Sequence, residues 1–209
     1  RRGSTRTAMK VIETIAALEA LYPAKPSEPA TIKVTDWLTP SYRAWIAASR
    51  FCIVSTVGPE GTDASPRGED GPVALELDER TLAIPDWKGN NRLDTLRNIV
   101  RDGRVSLMFM VPGSMNVMRV NGTAVLTDDP ALTGRFEHNG RNPKSVIVVT
   151  IREVYSQCAR AVLRAGLWDR NDAEGLPSVG DMLRDVTGGA FDGATYDLEW
   201  GERAKDTLW

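Results

Sequence analysis

Apolar residues recur along the chain in two periods, and the change from one to the other divides it. Val11, Ile12, Ile15, Leu18 and Leu21 fall at helical spacing within residues 8–22, and Pro23 ends the run. Pro23, Pro26 and Pro29 then predict an extended linker. Thr39 as N-cap and Pro40 at the first helical position open a second helix to about residue 49, with Trp45 and Ile46 toward the core. From Phe51 the period shortens: residues 51–57 (FCIVSTV) are apolar and β-branched, Gly58-Pro59-Glu60-Gly61 is a turn, and residues 62–66 return as the second arm of a hairpin. Residues 73–77 and 81–85, joined by Asp78-Glu79-Arg80, continue the meander. Leu93, Leu96, Ile99 and Val100 predict a helix over 91–102, and Gly103 suits its C-terminal end.

Strands over 104–111 and 116–127 follow, linked by Pro112-Gly113-Ser114, then a short helix over 130–138, a strand over 145–155 and a helix over 157–167 before Trp168. In the tail, Ser178 caps a predicted helix over 179–187, Gly188-Gly189 breaks it, and residues 202–208 read as another helical turn. Two long strands with a tight Pro-Gly connection favour an antiparallel barrel over a parallel sheet. The expected architecture is mainly β with α, a small barrel of about six antiparallel strands interrupted by helices. Three segments are expected: an N-terminal helix and linker (1–38), the barrel (39–168) and a C-terminal extension (169–209) packed on the barrel or on a partner subunit.

Composition narrows the chemistry. The chain has 209 residues, of which 42% are hydrophobic, enough for a substantial core. A formal charge of −2 gives no overall field for nucleic acid or an anionic membrane, so any anion site is local. Cys52 and Cys158 lie far apart without a CxxC, and His138 is the single histidine, which argues against a disulfide framework or a Cys/His metal site. A reducing cytoplasm is the default expectation. No apolar run approaches the roughly 18 residues of a membrane span, and the basic start lacks the apolar stretch of a signal peptide, so a soluble protein is expected.

The most informative stretch is 82–100, a strand, a polar turn and an amphipathic helix with Asn91 as its N-cap and Arg92 in its first turn. A helix start holds an anion well, and a cation placed there opposes the dipole unless an anion compensates it. A phosphate would supply that charge; a polar turn with a capped helix and a solvated Arg is the other reading, and both stand at this level. Elsewhere, Cys52 reads as a buried small hydrophobe, Cys158 as a packing residue at a helix start, His138 as a helix C-terminal residue, and Glu69-Asp70 as a solvated turn with at most a gating role.

Ser65-Pro66-Arg67-Gly68, Ile84-Pro85-Asp86, Gly89-Asn90-Asn91-Arg92 with Asp94 and Asn98 beyond it, Val111-Pro112-Gly113 and Arg119-Val120-Asn121-Gly122 stand in this order along the chain. Together they resemble the pyridoxamine 5′-phosphate oxidase-like, FMN-binding split-barrel family, over roughly residues 40–170. The helix from Cys158 to a terminal Leu167-Trp168 is similar to one in its subgroup of probable FMN-dependent enzymes. The resemblance implies a split β-barrel, six-stranded, antiparallel and Greek-key-like with flanking helices, and a homodimer with flavin sites at its interface. It implies an FMN phosphate at Asn91 and Arg92, Arg67 near the ring or phosphate, and Ser65, Pro66 and Gly68 with Ile84 and Pro85 along the isoalloxazine. Arg119 is implied as a second phosphate or ribityl contact, and Trp168, with Arg160, as a contribution from the partner chain.

No catalytic residue is assigned. The resemblance implies an oxidoreductase passing hydride between a small substrate or a nicotinamide and flavin; a flavin- or haem-binding carrier or sensor, and a deazaflavin-dependent reductase, are its alternatives. The oxidase's C-terminal Arg and His substrate motif has no counterpart here, where the chain runs Glu199-Trp200-Gly201-Glu202-Arg203, so pyridoxamine phosphate is not the expected substrate.

Overall fold

Thr14 starts the first helix by accepting a hydrogen bond from the Ala17 N–H at 3.1 Å. In the computed structural model, which describes residues 9–89, 91–205 and 207–209, this cap confines α1 to Ile15–Leu21, so Val11 and Ile12 precede the helix. The proline-rich stretch is not wholly extended: Ser27 and Pro29 open a short helix, α2 (Glu28–Ile32). Pro29 lies in the first turn, where its missing N–H has no intrahelical acceptor to lose. These helices belong to one compact unit, Arg1–Lys33, and the remaining elements to another, Val34–Trp209.

The second unit begins with Thr35 bridged to Val154 and then α3 (Pro40–Ala48), capped by Thr39. Ile46 is buried, and Tyr42 and Trp45 pack partly against the core. Next come β1 (Phe51–Gly58), β2 (Gly61–Gly68), β3 (Leu75–Asp78), β4 (Thr81–Asp86), α4 (Asp94–Arg101), β5 (Arg104–Met110) and β6 (Val117–Thr127). The short α5 (Pro130–Thr133) runs into a 3-10 turn, Gly134–Phe136, and is followed by β7 (Ser145–Gln157), α6 (Arg160–Ala165), α7 (Val179–Val186) and α8 (Gly193–Lys205). Ser178 forms a capping box with Asp181 at the start of α7, and Gly188 and Gly189 adopt positive φ after its end. The last helix is longer and earlier than the 202–208 turn expected; Gly201 inside it and the absence of an apolar stripe hid it.

The strands form a seven-stranded sheet in the order β2-β1-β5-β6-β7-β4-β3, with every neighbouring pair antiparallel. The short edge strand β3 takes the count past the six expected. Alternation fills the interior: Cys52 and Val54 of β1, Leu107 and Phe109 of β5, Val120 of β6, Ile147 and Val149 of β7, and Leu82 and Ile84 of β4 are all fully buried. β2 and β4 stand far apart in the strand order, yet Arg67 of β2 forms an ion pair with Asp86 at the end of β4. The sheet therefore curls on itself, and a side-chain contact rather than a strand ladder spans the gap between β2 and β4. Burying mixed polar and apolar groups, α4 lies over β1 by this gap: Ile99, Thr95 and Asn98 are buried, and Asn98 Nδ2 donates to Thr56 Oγ1 at 3.1 Å. No helix among the described residues is long and apolar enough to cross a membrane.

Candidate functional site

The gap between β2, the end of β4 and the start of α4 is a cleft of about 810 Å³, within the size range of small-molecule sites. Ser65, Pro66, Arg67, Gly68, Pro85, Asn91 and Arg92, named from the sequence, all line it. Ile84 is next to the lining residue Pro85 but is itself fully buried in the core. Arg119 pairs with Met108 and Tyr155 in the sheet, its guanidinium 5.4 Å from the Tyr155 ring centroid, and does not line the cleft. Trp168 donates from Nε1 to the Ser114 carbonyl at 2.7 Å and also lies away from this chain's cleft. Asn90 of the Gly89-Asn90-Asn91-Arg92 motif lies outside the described residues.

The helix beside the cleft begins later than its sequence pattern suggests. Asn91 (φ 59°) and Leu93 (φ 61°) both take the left-handed conformation, and the first residue of α4 is Asp94. Asn91 is therefore not the N-cap, and Arg92 precedes the helix instead of standing in its first turn. The compensating charge is also internal: Arg92 Nε lies 2.9 Å from Asp94 Oδ2, with the Arg92 side chain 76% exposed. Asp94 in the first turn favours the helix dipole, so the argument that an anion must come from a ligand loses its force. What remains is a guanidinium presented on a left-handed arch at the cleft mouth. Leu93 and Val100, assigned by spacing to the helix's apolar face, are exposed.

Arg67 is the more deeply placed cation. Its Nη1 is paired with Asp86, their side chains being only 18% and 14% exposed, while its Nε is buried without an acceptor among the described residues. A buried donor left unpaired is costly, and a ligand acceptor in the cleft would satisfy it. Trp87 Nε1 is likewise buried and unpaired. On the opposite wall, Thr95 Oγ1 hydrogen-bonds the Asp63 carboxylate and lies 3.0 Å from Ser65 Oγ, fixing β2 to α4. Lys88 and Lys144 also line the cleft and form no ion pair among the described residues.

Several of these groups carried no sequence signal. Glu69, expected in a solvated turn, is half-buried: Trp209 Nε1 donates to its Oε2 at 3.3 Å, and the Trp209 ring stacks on His138 with centroids 4.3 Å apart. Burial pushes the Glu69 carboxyl up, against a smaller downward pull from the Trp209 and Trp87 indoles and His138; the Trp87 N–H lies near the carboxylate without reaching hydrogen-bonding geometry. Asp70 does fit the solvated reading, exposed and 3.3 Å from Arg50. Cys52 is buried and its thiol is pushed up to about 12 by burial, offset slightly by Arg67. No group of three or more His, Cys, Asp or Glu among the described residues could hold a metal ion.

The profile of the family described as Pyridoxamine 5′-phosphate oxidase matches residues 38–158. No curated protein matches the chain. Among solved structures, HupZ of Group A Streptococcus is similar at 17% identity over 56% of this chain and 92% of its own, with a TM-score of 0.47. General Stress Protein 26 from Bacillus anthracis is similar at 15% identity, covering 55% of this chain and 88% of its own, TM-score 0.41. An FMN-binding protein from Syntrophomonas wolfei is similar at 14% identity, covering 56% and 80%, TM-score 0.42.

Proposed function

The chain belongs to the pyridoxamine 5′-phosphate oxidase family, and from that premise we propose that it is a flavoprotein that holds FMN in the β2–β4–α4 cleft and acts as an oxidoreductase on a small substrate. The observation that carries this reading is the buried, unpaired Nε of Arg67 inside a cleft whose mouth presents Arg92 and Lys88. The fit is chemical: the flavin ring offers acceptors for a buried donor, and its phosphate offers charge for exposed cations. Bound flavin supplies the hydride and electron transfer.

The chain's own residues do the rest. Arg92, Asn91 and Lys88 bind the phosphate end; Ser65, Pro66, Gly68 and Pro85 form the walls against which the ring lies, backed by buried Ile84. Arg67, held by Asp86, donates its free Nε to the ring's polar edge. Trp168, which does not line this chain's cleft, belongs to the reading as a contribution of a second copy in a homodimer; Arg119 does not line the cleft either and has no part in this chain's own wall.

Titration of the purified protein with FMN, followed by flavin fluorescence, tests the reading. Saturable binding, then reduction of the bound flavin by a nicotinamide and its reoxidation by an organic acceptor over repeated turnovers, is expected. Colourless protein that ignores FMN overturns it; binding with no turnover reduces it to a carrier; the spectrum of the cofactor released on denaturation separates flavin from deazaflavin. Because Arg92 is exposed and already paired with Asp94, Arg92→Ala should weaken FMN binding by about 1.5 kcal/mol, the low end for a charged hydrogen bond. Unchanged affinity removes Arg92 from the site.

A further inference from the structure

A second recess, of about 430 Å³, opens off the cleft and shares Trp87, Lys88 and Lys144 with it. Its other walls include Arg141 and Trp209. Two features set it apart. It presents two indoles and three cations, and no Asp or Glu side chain among the described residues lines it. Trp209 is also fixed from three directions: Arg141 Nη1 donates to its carbonyl at 2.9 Å, its ring stacks on His138, and its N–H reaches Glu69. An aromatic wall held this way is in place before a ligand arrives, so little ordering cost falls on binding.

Flat indole surface beside Lys88 and Lys144, which form no ion pair among the described residues, is the chemistry that recognises an aromatic base carried on a phosphate. The recess also continues from Lys88 and Lys144 at the mouth of the flavin cleft, where the reading above sets the FMN phosphate. We propose that it binds an adenylate, with the base against Trp87 and Trp209 and the phosphate on Lys88, Lys144 and Arg141. This rests on the flavin reading for its ligand's orientation. The adenylate has two sources: the second half of FAD, continuous with the flavin, or a separate adenine nucleotide bound beside FMN.

The test uses the full chain stripped of flavin. FMN and FAD are titrated by flavin fluorescence, and AMP is titrated by calorimetry into FMN-loaded protein. FAD binding at least about fivefold tighter than FMN, the low end of what stacking one base on an aromatic side chain contributes, assigns the recess to FAD. Equal flavin affinities with AMP binding to the FMN-loaded protein assign it to a separate nucleotide. In either case Trp209→Ala and Arg141→Ala should each remove the adenylate contribution while leaving FMN affinity unchanged, which also shows that the variants are folded. FMN binding with neither an FAD preference nor AMP binding overturns the inference and leaves the flavin reading standing, as does an adenylate contribution that survives both substitutions. Failure of FMN to bind overturns the flavin reading instead; AMP titrated into the bare protein then decides the recess alone, and absence of binding overturns it too.

Discussion

Glu69 shows how far one side chain's environment can depart from its sequence neighbourhood. In sequence it stands beside Asp70 in a run of polar residues, which reads as solvent. In the fold it meets Trp209, 140 positions away, and burial raises its pKa. The folded state therefore holds this proton more tightly than the unfolded state, so stability falls as pH rises from the ordinary carboxylate range through the raised value. Glu69→Gln should be more stable than the native chain at neutral pH, with the difference vanishing below about pH 4; urea midpoints at the two pH values check it. The cysteines give a second contrast. Cys52 is buried with its thiol pushed up to about 12, and Cys158 is exposed, so a thiol reagent should modify one cysteine in the native protein and the second only in denaturant. Cys52 was legible because its burial follows from strand alternation alone.

Among the elements, β1, β5, β6 and β7 were legible because their β-branched and apolar residues satisfy one face of a sheet wherever that sheet goes. The start of α4 was not. The sequence pattern makes Asn91 the N-cap, but positive φ at Asn91 and Leu93 delays the helix to Asp94, and no rule of composition places a leucine there. The glycine of the Arg119-Val120-Asn121-Gly122 motif has a plain structural use. β6 shifts register against β7 between Asn121 and Gly122, and a Cβ at Gly122 would lie 2.1 Å from the Thr150 carbonyl oxygen. Gly122→Ala must move backbone in the central ladder and should cost about 3 kcal/mol, measured as a fall in the urea midpoint. A Cβ at Gly58 would instead strike Asn98 Oδ1 at 2.2 Å, breaking the buried bond from Asn98 to Thr56 and loosening α4 on β1.

For the molecule as a whole, the part of the cleft visible in the sequence is the part built from contiguous segments: 65–68, 85–86 and 91–92. Lys144 joins the cleft, and Trp209 the recess beside it, through long-range packing, and nothing in their local sequence distinguishes them from ordinary surface residues. Since the proposed flavin binds only the folded chain, FMN at about a hundred times its Kd should stabilise the protein by about 2.7 kcal/mol, seen as a concentration-dependent rise in Tm. The Arg92→Ala variant should need more FMN for the same rise.

The junction of Arg67 with Asp86 has an evolutionary corollary. Because two side chains, and no ladder, join β2 to β4 there, positions 67 and 86 contribute to the width and polarity of that opening without taking part, through their side chains, in any strand pairing. Descendants of this chain are free to accommodate a bulkier or differently charged guest through point substitutions at those positions, while the β1-β5-β6-β7 framework keeps its alignment unaltered.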